Sequence, residues 1–228
     1  MTWINLHSPK PKSRSQVYVP YAWPEGRIRA LASIDSTTVT TKDQDIFKII
    51  GERRSRREFS ALRPTDLSSL LWYSARTQAV SHSNYGFELE QRPVPSGGAI
   101  HPIHILIKSP DEPHWGRYDS RQHSLIALES ASLILEGLED HSESVLPAST
   151  ATKILLVAEP GKTGAKYDHP ESVIWRDAGA LLAVLSVVAQ ALHLNYCPLG
   201  ITADPWASRL GPPGVLVGVG MALVGRPT

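Results

Sequence analysis

The chain has 228 residues, 42% of them hydrophobic, enough to bury a core as one large domain or two small ones. A net charge of +1 gives no field to draw in nucleic acid, and the single cysteine, Cys197, excludes internal disulfides and a thiolate metal cluster, so a reducing compartment is expected. Lys10, Lys12 and Arg14 have no apolar stretch behind them, so no signal peptide is expected. The longest apolar run, 178–194, is broken by Ser186, Gln190 and His193 and reads as a core helix rather than a membrane span. These features predict a soluble, cytoplasmic, globular protein.

In chain order, residues 1–38 carry Pro9, Pro11, Pro20 and Pro24 with little periodicity, which predicts an extended arm ahead of a folded domain over 39–228. Trp3, Tyr18, Tyr21 and Trp23 favour an arm that wraps a partner subunit over one left in solvent. Thr41-Lys42-Asp43-Gln44 has capping-box spacing ahead of Ile46, Phe47, Ile49 and Ile50, and Gly51 is placed at the end of that helix. Pro64-Thr65 opens a second helix with Leu67, Leu70, Leu71 and Ala75 on one face.

Residues 77–98 show no periodic run and predict a long loop. Ile103–Lys108 predicts a strand, Trp115–Asp119 and Ser124–Leu128 a hairpin, 133–138 a short helix, and 153–158 a buried strand. A long helix over 177–194, apolar almost all round and so enclosed on every side, is followed by a loop after Pro198-Leu199-Gly200 and a glycine-rich final strand over 215–224. Helices and strands mix without βαβ alternation, which predicts an α+β fold.

Between the first two helices stands Arg53-Arg54-Ser55-Arg56-Arg57-Glu58-Phe59. Arg53, Ser55 and Arg57 alternate, so an extended backbone would aim all three one way, with donors that match phosphate oxygens. Alone, such a basic cluster is usually a solvated face. In Pro95-Ser96-Gly97-Gly98-Ala99 the glycines would let backbone approach a planar ligand and the serine could bond a ring heteroatom, although an ordinary turn explains the string equally well. Lys166-Tyr167 could form a proton-transfer pair, although two such polar residues before a helix are most often surface. The nine histidines lack ligand spacing, so no metal site is expected. Gly161-Lys162-Thr163 lacks the earlier glycine of a phosphate-binding P-loop, where Leu156 stands instead.

Together these strings resemble the nitroreductase superfamily of FMN enzymes, and within it the SagB-type dehydrogenases, which include thiazoline and oxazoline oxidases. The resemblance is carried by the arginine motif, by Arg92-Pro93-Val94-Pro95-Ser96-Gly97-Gly98-Ala99 with His101-Pro102, by Tyr118-Asp119 with His123 and Leu125, by Lys166-Tyr167, by Asp177-Ala178-Gly179, and by Val224-Gly225.

It implies a nitroreductase-like fold: a central antiparallel or mixed sheet wrapped by helices around a long buried helix, in a domain-interlocked homodimer with FMN at the subunit interface. It implies that Arg53, Arg54, Ser55 and Arg57 bind the FMN phosphate and ribityl chain. Pro95, Ser96, Gly97 and Gly98 would edge the isoalloxazine, with backbone at Leu199 and Gly200 near its other side. Lys166 and Tyr167 would serve as the base of an azoline-type oxidation on a small-molecule or peptide substrate, with a possible biosynthetic partner enzyme. Two alternatives stand beside this reading: an NAD(P)H-dependent nitro- or quinone reductase, and a flavin-free partner or scaffold subunit of the same fold.

Overall fold

A computed structural model of the chain describes residues 6–24, 26–34 and 45–228. The predicted capping box at 41–44 and Trp3 of the arm lie outside these residues. The elements are β1 (Lys10–Pro11), β2 (Ile28–Ala30), α1 (Ile46–Glu52), α2 (Pro64–Ala75), β3 (Ala79–Ser81), β4 (Leu89–Gln91), β5 (Ile103–Lys108), β6 (Trp115–Asp119) and β7 (Ser124–Leu128). After these come α3 (Ala131–Val145), β8 (Thr152–Ala158), α4 (Pro160–Gly164), β9 (Tyr167–Asp168), α5 (Glu171–Ala191), β10 (Asn195–Leu199) and β11 (Val217–Gly225). Gly97–Ala99 and Ala207–Leu210 are single 3-10 turns.

Seven strands form one sheet in the order β10-β11-β8-β5-β6-β7-β2, and every pairing in it is antiparallel. The fold is α+β, with helices on both faces. Strand alternation explains the layers. Ile103, Ile105 and Ile107 of β5 face α2 and α5, in a core with Leu70, Leu71, Ile174, Leu181 and Leu185. Leu106, Leu155 and Val157 face the other way, onto Leu135 and Leu138 of α3 and onto Trp115. Trp115 is fully buried and its indole N–H donates to Glu139 Oε1 at 2.8 Å, which ties α3 to β6.

Several boundaries differ from the sequence-based expectation. The side chain of Asp45 caps α1, accepting from Phe47 N at 2.9 Å, and the helix runs through Gly51 to Glu52. The stretch 77–98 is not wholly loop, because β3 and β4 pair within it as a short hairpin. Helix α3 extends to Val145, since Ala131, Leu135, Leu138 and Ser142 keep one buried face over four turns. Helix α5 begins at Glu171, six residues before the expected Asp177, with Val173 and Ile174 already buried.

Nor is α5 enclosed on every side within one chain. Trp175, Gly179 and Ala183 are exposed along one stripe, while Ile174, Ala178, Leu181 and Leu185 pack into the core. The described part of the N-terminal arm lies on its own chain. β2 adds an edge strand beside β7, and Tyr21 and Trp23 pack against the core on the α3 side of the sheet.

A buried polar chain closes the α2 side of the molecule. Tyr118 donates to His123 Nδ1 at 2.8 Å, His123 Nε2 bonds Ser68 Oγ at 2.8 Å, and Ser68 donates to Ala32 O at 2.6 Å. This order of donors fits a neutral imidazole, and burial, its largest cause, holds the pKa of His123 low. Burial likewise lowers His104, and it lowers His101 to about 4. Each of these groups gains protons on unfolding below the ordinary histidine value of about 6.5. Their stabilising contribution is therefore present above pH ~6.5 and is lost as pH falls toward the folded values. Glu90, held down to about 2 with Arg92 as its largest favourable charge, acts in the same sense at lower pH, while Asp177, raised by burial, opposes it. The urea midpoint is expected to fall between pH 7 and pH 5; a flat or rising midpoint in equilibrium unfolding would contradict a neutral histidine core.

Candidate active site

The turn after Pro95 is fixed by one carboxylate on the central helix. Asp177 accepts from Ser96 Oγ at 2.6 Å and from Gly97 N at 3.0 Å, and Ser96 Oγ in turn accepts from His101 N at 3.0 Å. Charge-assisted bonds of this kind are the stronger class. The Ser96 proton is thus committed to Asp177, which leaves one lone pair of its oxygen for any ligand. Burial raises the pKa of Asp177, opposed by its bonds to Ser96 and Gly97.

The next residue makes the decisive contact. Gly98 has φ 72, a left-handed conformation that favours glycine. A Cβ there would stand 2.6 Å from Lys166 Nζ and 3.2 Å from Tyr167 Oη. The backbone at Gly98 therefore runs directly beneath the Lys166-Tyr167 pair, whose Nζ lies 5.4 Å from the tyrosine ring centroid.

A strap from the arm holds this pair. β1 pairs with β9 in the register Lys10↔Asp168 and Pro11↔Tyr167, Lys12 N donates to Lys166 O at 2.9 Å, and Gln16 N donates to Ala165 O at 3.0 Å. Tyr18 crosses Gly161 so closely that no side chain fits there. Tyr21 N then donates to the fully buried Glu159, which also bonds His104 Nε2 at 2.8 Å.

The arginine motif lies elsewhere in the chain. Residues 53–59 are extended along the outer edge of β10, where Arg56 N donates to Tyr196 O at 3.1 Å and Asn195 Nδ2 donates to Glu58 O at 2.6 Å. Arg54 folds back onto the end of α1, donating to Gly51 O and Arg53 O. Ser55 and Arg57 are exposed and Arg53 half-buried, and none of the three engages another side chain in a hydrogen bond or ion pair among the described residues. Arg57 is close enough to Cys197 to oppose the rise that burial imposes on its thiol. Leu199 and Gly200 end β10 on the same edge, and a Cβ at Gly200 would meet open space.

Two groups of expected site residues are therefore assembled within the chain, and they stand apart. Pro95, Ser96, Gly97 and Gly98 meet Lys166 and Tyr167 near the first turns of α5, against Val173 and Asp177. The arginine motif meets the last turn of α5, where Arg56 and Glu58 share a shallow cavity with Gln190 and His193. From Asp177 to Gln190 the helix axis covers about 20 Å.

Asp177 as the anchor of the glycine turn, and Glu159 under the strap, are roles that the sequence alone does not reveal. The string Asp177-Ala178-Gly179 marked the position, but no spacing rule links it to Ser96.

No family model matches the chain, and no curated protein matches it. Solved structures do. A nitroreductase-like protein of Ralstonia eutropha superposes with a TM-score of 0.62 at 18% identity, covering 97% of this chain and 99% of that one. A nitroreductase-like protein of Desulfovibrio desulfuricans in complex with FMN gives 0.53 at 19% identity, over 82% and 88%. The E. coli microcin synthetase McbBCD complex, with truncated pro-MccB17 bound, gives 0.58 at 13% identity, over 95% and 79%. The chain has the nitroreductase-like fold.

Gly98→Ala should push against Lys166 and strain φ at once. We expect a loss of about 1–3 kcal/mol of stability, measured by urea unfolding; a neutral Gly98→Ala would show that Lys166 moves aside freely.

Proposed function

We propose that this chain is an FMN-dependent oxidoreductase, a SagB-type dehydrogenase that oxidises a peptide-derived or heterocyclic, azoline-like substrate. The observation that carries the reading is the apposition of Lys166 Nζ and Tyr167 Oη to the backbone of Gly98. The residues present suit the cofactor: the backbone of the glycine turn, with Lys166 and Tyr167 beside it, for the edge of a planar ring, and the donors of Arg53, Ser55 and Arg57 for a phosphate. FMN, when bound, supplies a two-electron hydride acceptor. Pro95, Ser96, Gly97 and Gly98 would border its ring system, with Leu199 and Gly200 on another side, and Arg53, Arg54, Ser55 and Arg57 would hold its phosphate end. Lys166, oriented by Tyr167 and by the strap, would take the proton that leaves the substrate carbon.

Because the two groups of residues occupy opposite ends of α5, we assign one site to two chains: the arginine edge of one and the glycine turn of its partner. The exposed stripe Trp175, Gly179 and Ala183, with Phe47 and Ile50 exposed on α1, is the face on which a second copy would sit. We assign the FMN-binding domain to residues 39–228, braced at Lys166 by the strap from the arm. A cytoplasmic location fits the lone thiol of Cys197. The likeness to a synthetase complex holding a truncated pro-peptide motivates a search for a biosynthetic partner enzyme.

An NAD(P)H-dependent nitro- or quinone reductase is the second reading, favoured by the nitroreductase-like neighbours. A flavin-free scaffold subunit is the third. Purified protein should show flavin absorption bands, and no bands after FMN is supplied would end both enzymatic readings. Rapid bleaching by NADPH under nitrogen would favour the reductase. With an azoline substrate, Lys166→Ala should lower turnover about 10²–10⁴-fold with FMN retained; unchanged turnover would remove Lys166 from the chemistry. Ala183→Arg, on the exposed stripe, should yield a monomer by light scattering that releases FMN. A dimeric, yellow Ala183→Arg protein would place the interface elsewhere.

A further inference from the structure

The seven-stranded sheet contains a split that the flavin reading does not use. β5 and β6 are paired only at Leu106↔Arg117 and Ile107↔Gly116. Beyond that point β5 stays bonded to β8 as far as Ile103, and β6 stays bonded to β7 as far as Asp119, but the two no longer pair with each other. Between them opens a cleft of about 240 Å³, lined by Ile103, Ile105 and Tyr118 and by an unusual density of charge.

Not all of that charge is neutralised internally. Arg92 is committed to Glu90, donating at 2.6–2.8 Å, and Arg121 is committed to Glu90 and Glu88, both at 2.7 Å. Arg117 and Lys162 make no ion pair among the described residues. Among the described residues Arg117 Nε is buried without a hydrogen-bond partner, and its guanidinium lies 5.8 Å from the centroid of the Trp23 ring. Lys162 Nζ has a single carbonyl, His101 O at 3.2 Å, and the ring of Phe87 at 5.2 Å. Asp119 and Glu159 act on Arg117, and Glu159 and Glu90 on Lys162, by charge alone, and Glu159 already accepts from His104 and Tyr21. A buried donor without an acceptor is costly, and both cations line the same cavity. An anion between them would relieve both.

We propose that the β5–β6 cleft is a binding site for a small organic oxyanion, a carboxylate- or phosphate-bearing molecule held by Arg117 and Lys162. Its apolar part would rest on Ile103, Ile105 and Tyr118, and Glu90 and Asp119 would border its far side. None of the residues proposed to hold FMN lines this cleft.

The surroundings give it a pH signature. Lys162 is faced by Glu159 from the start of α4, by Glu90 and Arg92 from the β3–β4 hairpin and the segment after it, by Arg121 from the β6–β7 turn, and by His101 and His104. Burial and then Arg92 bring its pKa down to about 8. An anion can therefore use its full charge below that value and loses it above.

Isothermal titration of the full chain with acetate and with inorganic phosphate, at constant ionic strength, tests the site. Saturable binding of either probe is expected at pH 7, weaker at pH 9. Lys162→Gln and Arg117→Gln should each weaken it about tenfold or more. Lys162→Gln should also abolish the pH dependence, and the surface change Arg209→Gln should alter nothing. Acetate alone saturating would assign a carboxylate, and phosphate alone a phosphoryl group. Absence of saturable binding by both probes, or binding that Lys162→Gln leaves intact, overturns the proposal. Should Arg117→Gln fail to fold by circular dichroism, Lys162→Gln carries the test.

Discussion

The carboxylate of Asp177 is the constraint on which the candidate site depends. It takes a hydroxyl and a backbone N–H from successive residues of one turn, so Ser96 and Gly97 are pinned to the flank of α5 and Gly98 is thrown into a left-handed conformation. Only a glycine adopts that geometry cheaply, and only a glycine leaves room for the lysine above it. The ionised carboxylate must be buried to do this, and burial opposes ionisation. The two bonds it receives oppose that cost. A short polar cluster thus decides where the backbone surface of the turn lies relative to a potential proton acceptor.

The N-terminal strap completes that arrangement from the opposite side. Two ladder pairs and two further backbone bonds are individually modest, but they all fall on residues 165–168. Glu159, with no exposed surface, roots the far end of the same segment through His104 and Tyr21. The interior under the segment is therefore polar. Neutral histidines and paired carboxylates satisfy most of it, while Trp23 Nε1, Thr163 Oγ1 and Arg117 Nε keep no hydrogen-bond partner among the described residues.

Helix α5 serves two environments. Its inner face fills the core with Ile174, Ala178, Leu181 and Leu185, while small residues at Gly179 and Ala183 keep its outer face flat beside Trp175. A flat apolar stripe beside the exposed apolar residues of α1 is poorly suited to water and well suited to another protein surface.

The sequence by itself determined the local layer of this protein. Strands Ile103–Lys108, Trp115–Asp119 and Ser124–Leu128 and helix Pro64–Ala75 fall where alternation, helical spacing and Pro64 put them, because those signals depend only on neighbours along the chain. It also carried the arginine, glycine-turn and Lys-Tyr strings. Their placement was a tertiary matter. The α5 pattern, apolar all round, could not distinguish a helix sealed in one core from one shared between a core and an exposed face, since periodicity records hydrophobicity and not what covers it.

The contact of Lys166 with Gly98, the anchoring of Ser96 by Asp177 and the parting of β5 from β6 join residues far apart in sequence. Lys162 stood inside a glycine string that failed as a P-loop, and nothing local marked it as a half-buried cation beside a cleft. Such meetings are set by how sheet, helix and strap pack on one another. Packing energies act across space, between surfaces that the chain brings together only once it is folded.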